Sequence, residues 1–338
     1  MTVKQKTLKK GGKLGEVLRS REISLLLVMV LLCVVIQWRS GGTFFTPGVI
    51  TQLAQNYAYT AVLTFGMLLV LLIGGIDISI ASTLAFSGMA SSMLMQHGFL
   101  TNPFMVFLVS TLIGLGCGLI IGLVIAKGKV LPIIATLGFQ YIVRGLTYVI
   151  SDSKWVSSDE MLPAFTQFSL DSFLGIPYLA WIFLVLFVIV LLVLKWTEFG
   201  RQIYAVGSNA EAAKISGINI DRIKILVYSI NGAIAGLAGA MFTSKYASAQ
   251  SNMATGAEMD VIAACVIGGV SLNGGQGNAV GALLGVITIA IISKSLSLVG
   301  IDAFWQQALK GVIILLAVAV NVLVQRNNDR EVLKGREI

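Results

Sequence analysis

A chain of 338 residues that is 56% hydrophobic and only 12% charged has too little polar surface to cover itself in water, which excludes a soluble globule and points to a bilayer. A net charge of +8 would suit nucleic acid in a soluble protein, but basic cytoplasmic loops of a membrane protein produce the same excess, so no nucleic-acid partner is expected. Cys33, Cys117 and Cys265 sit in apolar runs without metal-ligand spacing and His97 is the sole histidine, so neither a disulfide framework, a metal site nor a Ser-His-Asp site is expected.

Residues 1–22 carry seven Lys or Arg ahead of an apolar run with no small-residue cleavage site, and read as a cytoplasmic tail before a start-inside anchor. Apolar runs predict spans at 23–38, 50–73, 76–96, 103–126, 130–150, 176–196, 223–247, 258–272, 278–298 and 303–324, followed by a cytoplasmic tail at 325–338. The expected fold is therefore an all-α polytopic membrane protein of about ten helices in a single membrane domain, 23–324, with both termini cytoplasmic. Charge placement agrees, since 18 of the 24 basic residues then lie on one side, while the expected outer loops hold only Arg39 and Lys154. The eighth run is short for ~30 Å of hydrocarbon, which takes ~20 helical residues, and reads as re-entrant or broken.

The expected outer loop 151–175 mixes Asp152, Asp159, Glu160 and Asp171 with Trp155, Phe165 and Phe168. It reads as an interfacial aromatic belt or as a docking rim for an extracytoplasmic protein. Gly114, Gly118 and Gly122, and Gly232, Gly236 and Gly239, recur at helical spacing and predict close helix packing. The doublets Gly74-Gly75 and Gly268-Gly269 end β-branched apolar runs, and free backbone groups that need protein or water around them.

Polar side chains inside apolar runs are candidates for a translocation path, because their desolvation is costly. They are Asp77, Arg144 and Asn231, with Lys294 and Lys310 also able to snorkel to an interface. Thr136, Gln140 and Arg144 share one face at i, i+4, i+8, which suits a hydroxylated solute or a polar helix contact. A lining of hydroxyls and amides favours sugars over ions.

Residues 197–222 are the one long polar interruption between the apolar halves. Asn209 is placed to cap a short helix, Glu211 lies in its first turn, and Gly217 offers the left-handed position that closes it. Ala212 and Ala213 leave room for close approach and Ile215 adds an apolar knob, so the segment fits a docking element or a plain amphipathic connector. No Gly-x-x-x-x-Gly-Lys-Ser/Thr loop exists, so this chain is expected to bind no ATP of its own.

The pattern Gly200, Arg201, Ala205, Gly207, Asn209, Ala212, Ala213, Gly217, Ile218 resembles the cytoplasmic coupling loop of simple-sugar ABC importer permeases. Similar family habits occur at Gly74-Gly75-Ile76-Asp77-Ile78-Ser79, at Ala135-Thr136-Leu137-Gly138 with Arg144-Gly145, and at Gly268-Gly269-Val270-Ser271-Leu272 with Gly274-Gly275-Gln276-Gly277. The resemblance spans most of the chain and covers permeases for ribose, galactose, xylose, rhamnose and autoinducer-2. It implies the type II architecture of the vitamin-B12 importer, a bacterial inner-membrane location, and coupling of residues 209–217 to a separate ATPase that holds ATP and magnesium. An extracytoplasmic solute-binding protein, a second permease copy or paralogue, and membrane lipid are the other implied partners. An ion-coupled secondary carrier would need intramembrane acids, of which Asp77, Glu258 and Asp260 are available, and an intramembrane enzyme would need a nucleophile with a base or a metal.

Overall fold

The computed structural model describes residues 21–39 and 41–298, with scattered positions between 300 and 315. Most of the expected basic tail, most of the expected tenth span with Lys310, and the tail 325–338 lie outside the described residues.

The described chain is mostly helical and holds one two-stranded hairpin, β1 (Ser172–Phe173) with β2 (Ile176–Pro177). The long helices are α1 (Arg21–Arg39), α2 (Pro47–Leu72), α3 (Ile80–Gln96), α4 (Pro103–Ala126) and α5 (Pro132–Ser151). After a short helix, α6 (Pro163–Phe168), come α7 (Tyr178–Trp196), α8 (Glu198–Ser208), α9 (Ala210–Ile215), α10 (Ile220–Tyr246), α11 (Ala257–Ile267) and α12 (Ala279–Leu298). Among the described residues six helices are long and apolar enough to cross a membrane: α2, α4, α5, α7, α10 and α12. Proline opens α2, α4 and α5, where its missing N–H costs nothing and its fixed φ suits the first turn.

The expected third span begins later than predicted, at Ile80, because the Gly74-Gly75 doublet holds the chain out of helix until Ser79. The expected eighth span is helical only over the 11 residues of α11, about 17 Å at 1.5 Å per residue, roughly half the hydrocarbon thickness. Its shortness in sequence therefore reflects a real break, at Gly268-Gly269, where Gly269 turns at φ +87°.

At the centre lie α2 and α10. The second half of α2, from Ala58 to Leu72, is almost wholly buried, and its apolar side chains join those of α10 in the main core. Gly114, Gly118 and Gly122 with Gly232 and Gly236 form the seam between α4 and α10, whereas Gly239 packs against Leu84 and Gly88 of α3. A Cβ on Gly114 would stand 2.7 Å from the Gly236 backbone, and one on Gly118 would stand 2.9 Å from the Gly232 Cα, so the helices meet backbone to backbone. Ser110 Oγ adds a 2.6 Å hydrogen bond to the Gly236 carbonyl across the same seam.

The loop between α5 and α7 is a folded cap. Its backbone bridges Val156 to Ala249, and Ser157 and Glu160 close a capping box. Phe165 is fully buried, packs against Phe107, and its carbonyl accepts from Ser244 Oγ at 2.6 Å. Phe168 stacks on Tyr178. Of the aromatics assigned to an interfacial belt, Trp155 alone is well exposed, at 62%, because Phe165 and Phe168 are drawn into the bundle by the apolar ends of α4 and α10.

Candidate functional site

The segment between α2 and α3 is where the interrupted spans converge. Gly74 turns at φ +76°, and the six residues from there to Ser79 carry polar groups into the interior. Asp77 is buried and accepts three hydrogen bonds: from the Ser79 amide at 2.9 Å, from Ser79 Oγ at 2.5 Å, and from Asn231 Nδ2 of α10 at 2.7 Å. Such saturation is what lets a carboxyl sit inside a helix bundle. Beside it, Thr136 Oγ1 of α5 donates to the Ile76 carbonyl at 3.2 Å.

The structure thus brings Asp77, Asn231 and Thr136 to one place and leaves the rest of the polar stripe elsewhere. Asn231 and Thr136 are fully buried, and these three residues tie α3, α5 and α10 together. Gln140 is half-buried one turn beyond Thr136. Arg144, a further turn along, reaches the cap, where Nη1 donates to the carbonyls of Ser251 at 2.8 Å and Met253 at 2.9 Å. Glu258, in the first turn of α11, is buried. Lys294 donates to Gln52 at 3.1 Å from an exposed position.

At the opposite, basic end the polar interruption folds as two helices, where one was expected. Thr197 caps α8 through the Gly200 amide at 3.1 Å. Asn209 then serves twice: its amide closes α8 on the Ala205 carbonyl, and its side chain caps α9 by accepting from the Ala212 amide at 3.0 Å. Gly217 takes the left-handed turn at φ +84°, with its amide on the Lys214 carbonyl and the Ile218 amide on the Ala213 carbonyl, a complete Schellman closure. Both caps are local and were legible in sequence.

The faces of α9 were not. Ala213 is turned into the protein, 4% exposed, so it is not part of the surface offered outward. Glu211, Ala212 and Ile215 are exposed, and Ile215, at 87%, is an apolar side chain left almost uncovered by its own chain on a six-residue helix.

A contact that the sequence analysis missed joins these two regions. Gly207, next to the end of α8, lies against the end of α2 and against the loop between α11 and α12. A Cβ there would overlap the Leu72 carbonyl and stand 2.6 Å from the Gly275 amide, which itself donates to that carbonyl at 2.9 Å. A Cβ on Gly274 would stand 2.8 Å from the Gly74 amide and 2.9 Å from the Gly207 carbonyl. Tyr204 Oη donates to the Gly277 carbonyl at 2.8 Å, and burial pushes this phenol up, so it stays protonated at neutral pH. The sequence signal was the glycine run at 274–277, whose partners 67 and 200 residues away no local rule reveals.

Residues 49–318 match the family model described as "Branched-chain amino acid transport system / permease component". The chain belongs to this permease family. It is 38% identical over 279 residues to the ribose import permease protein RbsC of Bacillus subtilis (strain 168), covering 82% of this chain and 86% of that protein. It is 35% identical to the L-arabinose ABC transporter permease protein AraH of Azospirillum brasilense, over 86% of this chain and 84% of the relative. The autoinducer 2 import system permease protein LsrC of Salmonella choleraesuis (strain SC-B67) is 33% identical over 88% and 84% respectively. No solved structure matches the chain. With its apolar helices, membership of the family makes this a multi-pass protein of the bacterial inner membrane.

Proposed function

We propose that this chain is the membrane-spanning permease subunit of an ATP-binding-cassette importer for a simple sugar or sugar-like solute such as ribose, another monosaccharide or autoinducer-2. The observation that carries the reading is α9: a doubly closed helix at the basic end that leaves Ile215 exposed, on a chain without a phosphate-binding loop. An apolar side chain so exposed is the kind of anchor that a partner's groove buries. The similarity to permeases named for ribose, L-arabinose and autoinducer 2 import supports the solute class.

In this reading a separate ATPase binds ATP and magnesium and grips α9 through Asn209, Glu211, Ala212, Ile215 and Gly217. Ala213 acts from behind, by seating the helix on its own protein. An extracytoplasmic binding protein delivers solute at the Val156–Ala249 cap, and a second permease, identical or paralogous, completes the path. Ten spans in a type II architecture, with tails 1–22 and 325–338 in the cytoplasm, accommodate these contacts, and the chain itself performs no bond chemistry.

The path assignment is refined by burial. Gln140, half-buried on the α5 face, is the side chain we place against the solute, with Arg144 at its outer end. Thr136, Asp77 and Asn231, wholly enclosed, hold the wall behind them. Uptake of labelled ribose, L-arabinose, galactose, xylose, rhamnose and autoinducer-2 in cells lacking this gene tests the reading: one of them should fail to enter until the gene is restored. Normal entry of the whole set contradicts it, and Gln140→Leu should impair uptake at unchanged membrane levels.

A further inference from the structure

Force applied to α9 has to reach the interrupted spans, and the backbone junction behind α8 is built to pass it on. Three segments meet there largely backbone to backbone, with Ser208 Oγ the one side chain set against Gly275: Gly207-Ser208 at the end of α8, Leu72 to Gly74 at the end of α2, and Gly274-Gly275 between α11 and α12. Side chains can change rotamer and absorb a displacement of an ångström, whereas backbone in contact with backbone cannot. The junction is also pinned twice by hydrogen bonds, Gly275 amide to Leu72 carbonyl and Tyr204 Oη to Gly277 carbonyl.

From this junction, linked groups lead outward. The Leu72–Gly74 end continues into Ile76 and Asp77, which are held by Thr136 of α5 and Asn231 of α10. The 274–277 loop adjoins the Gly268-Gly269 break that ends α11, whose other end bears the buried Glu258. Both non-helical breaks are therefore tied to one point on α8, and each break can bend where a continuous helix would resist.

We propose that this glycine junction is the transmission point of the importer, moving the 72–79 and 268–278 segments together when α8 is displaced, and that Tyr204 is a positioning residue that keeps the 274–277 loop engaged. The proposal rests on the importer reading above and adds where the movement goes after the ATPase contact. Tyr204 lies on α8, is partly buried and bonds to the protein's own Gly277 carbonyl, outside the α9 residues assigned to the ATPase, so its loss should leave partner binding untouched.

The test uses the full importer, reconstituted from this chain with its ATPase and binding protein, and measures ATPase co-purification, ATP hydrolysis, and solute moved per ATP, with whichever of ribose, L-arabinose, galactose, xylose, rhamnose and autoinducer-2 the unmodified chain carries. Tyr204→Phe removes one hydroxyl, and Gly207→Ala drives a methyl into the Leu72 carbonyl. Gly116→Ala is the control, since a Cβ there meets nothing within 4 Å. Both test variants should co-purify with the ATPase and hydrolyse ATP while solute moved per ATP falls at least about fivefold, the lower edge of ordinary coupling between sites. Should Gly207→Ala fail to accumulate, Tyr204→Phe decides alone. Solute moved per ATP at the Gly116→Ala level in Tyr204→Phe overturns the transmission point. Absence of any ATP-driven uptake by the unmodified chain is a different result, which overturns the importer reading and this proposal with it.

Discussion

Asn231 on α10 donates its side-chain amide to the Asp77 carboxylate at 2.7 Å, joining residues 154 positions apart at the end of an interrupted span. Removing the acid strips three hydrogen bonds and leaves a buried amide without its acceptor. Asp77→Ala should therefore destabilise the bundle by at least about 2 kcal/mol. A thermal midpoint measured by size-exclusion fluorescence in detergent should fall clearly, and an unchanged midpoint would show that the pair does not hold the break.

The two small and large apolar residues of α9 should behave in opposite ways. Ala213 is buried, so Ala213→Trp should lower the permease's own membrane level before any partner is involved. Ile215 is exposed and packs little against its own chain, so Ile215→Asp should change permease stability by less than about 0.5 kcal/mol. Co-purification of the ATPase should nevertheless drop about tenfold, as expected when a central apolar anchor is replaced by a charge. Full co-purification with Ile215→Asp would remove α9 as the docking element.

The α4–α10 seam makes a stability prediction free of any functional assumption. Gly118→Ala forces a methyl against the Tyr228 carbonyl and the Gly232 Cα, and should cost about 1–3 kcal/mol as overpacking does elsewhere. Gly116→Ala, two residues away and open to its surroundings, should be neutral or slightly stabilising. Equal thermal midpoints for the two variants would contradict the seam.

Orientation can be read from cysteine labelling. Ser158→Cys on the cap should react with an impermeant maleimide added to intact cells, and Ser216→Cys beside α9 only after the membrane is opened. The three native cysteines lie in apolar runs and should contribute little background. The reverse pattern would invert the topology.

What could be read from the sequence was what is decided locally. The ends of α4 at Pro103 and Ala126 coincide with the apolar run, because a long hydrocarbon segment flanked by Pro and Lys has little freedom in where it stops. Asn209 and Gly217 were found because capping is written within a few residues. The inward turn of Ala213, the burial of Phe165 and the meeting of Gly74, Gly207 and Gly274 depend on segments far apart in the chain. Alanine and glycine are especially mute here, since the same small side chain serves a solvent face, a helix seam or a backbone crossing. The polar stripe on α5 was right as a helical face, but spacing along one helix does not reveal that Thr136 meets a carbonyl of the neighbouring break while Arg144 reaches the cap.

The central claim is that solute movement through this chain is driven by ATP on partner subunits. Its most direct test is uptake of labelled ribose, L-arabinose or autoinducer-2 into proteoliposomes holding this permease with its ATPase and binding protein. The account predicts accumulation that requires ATP, is lost without the ATPase, and is indifferent to proton and sodium gradients. Accumulation by the permease alone, driven by either gradient and unaffected by ATP, would contradict it and make the chain an ion-coupled carrier.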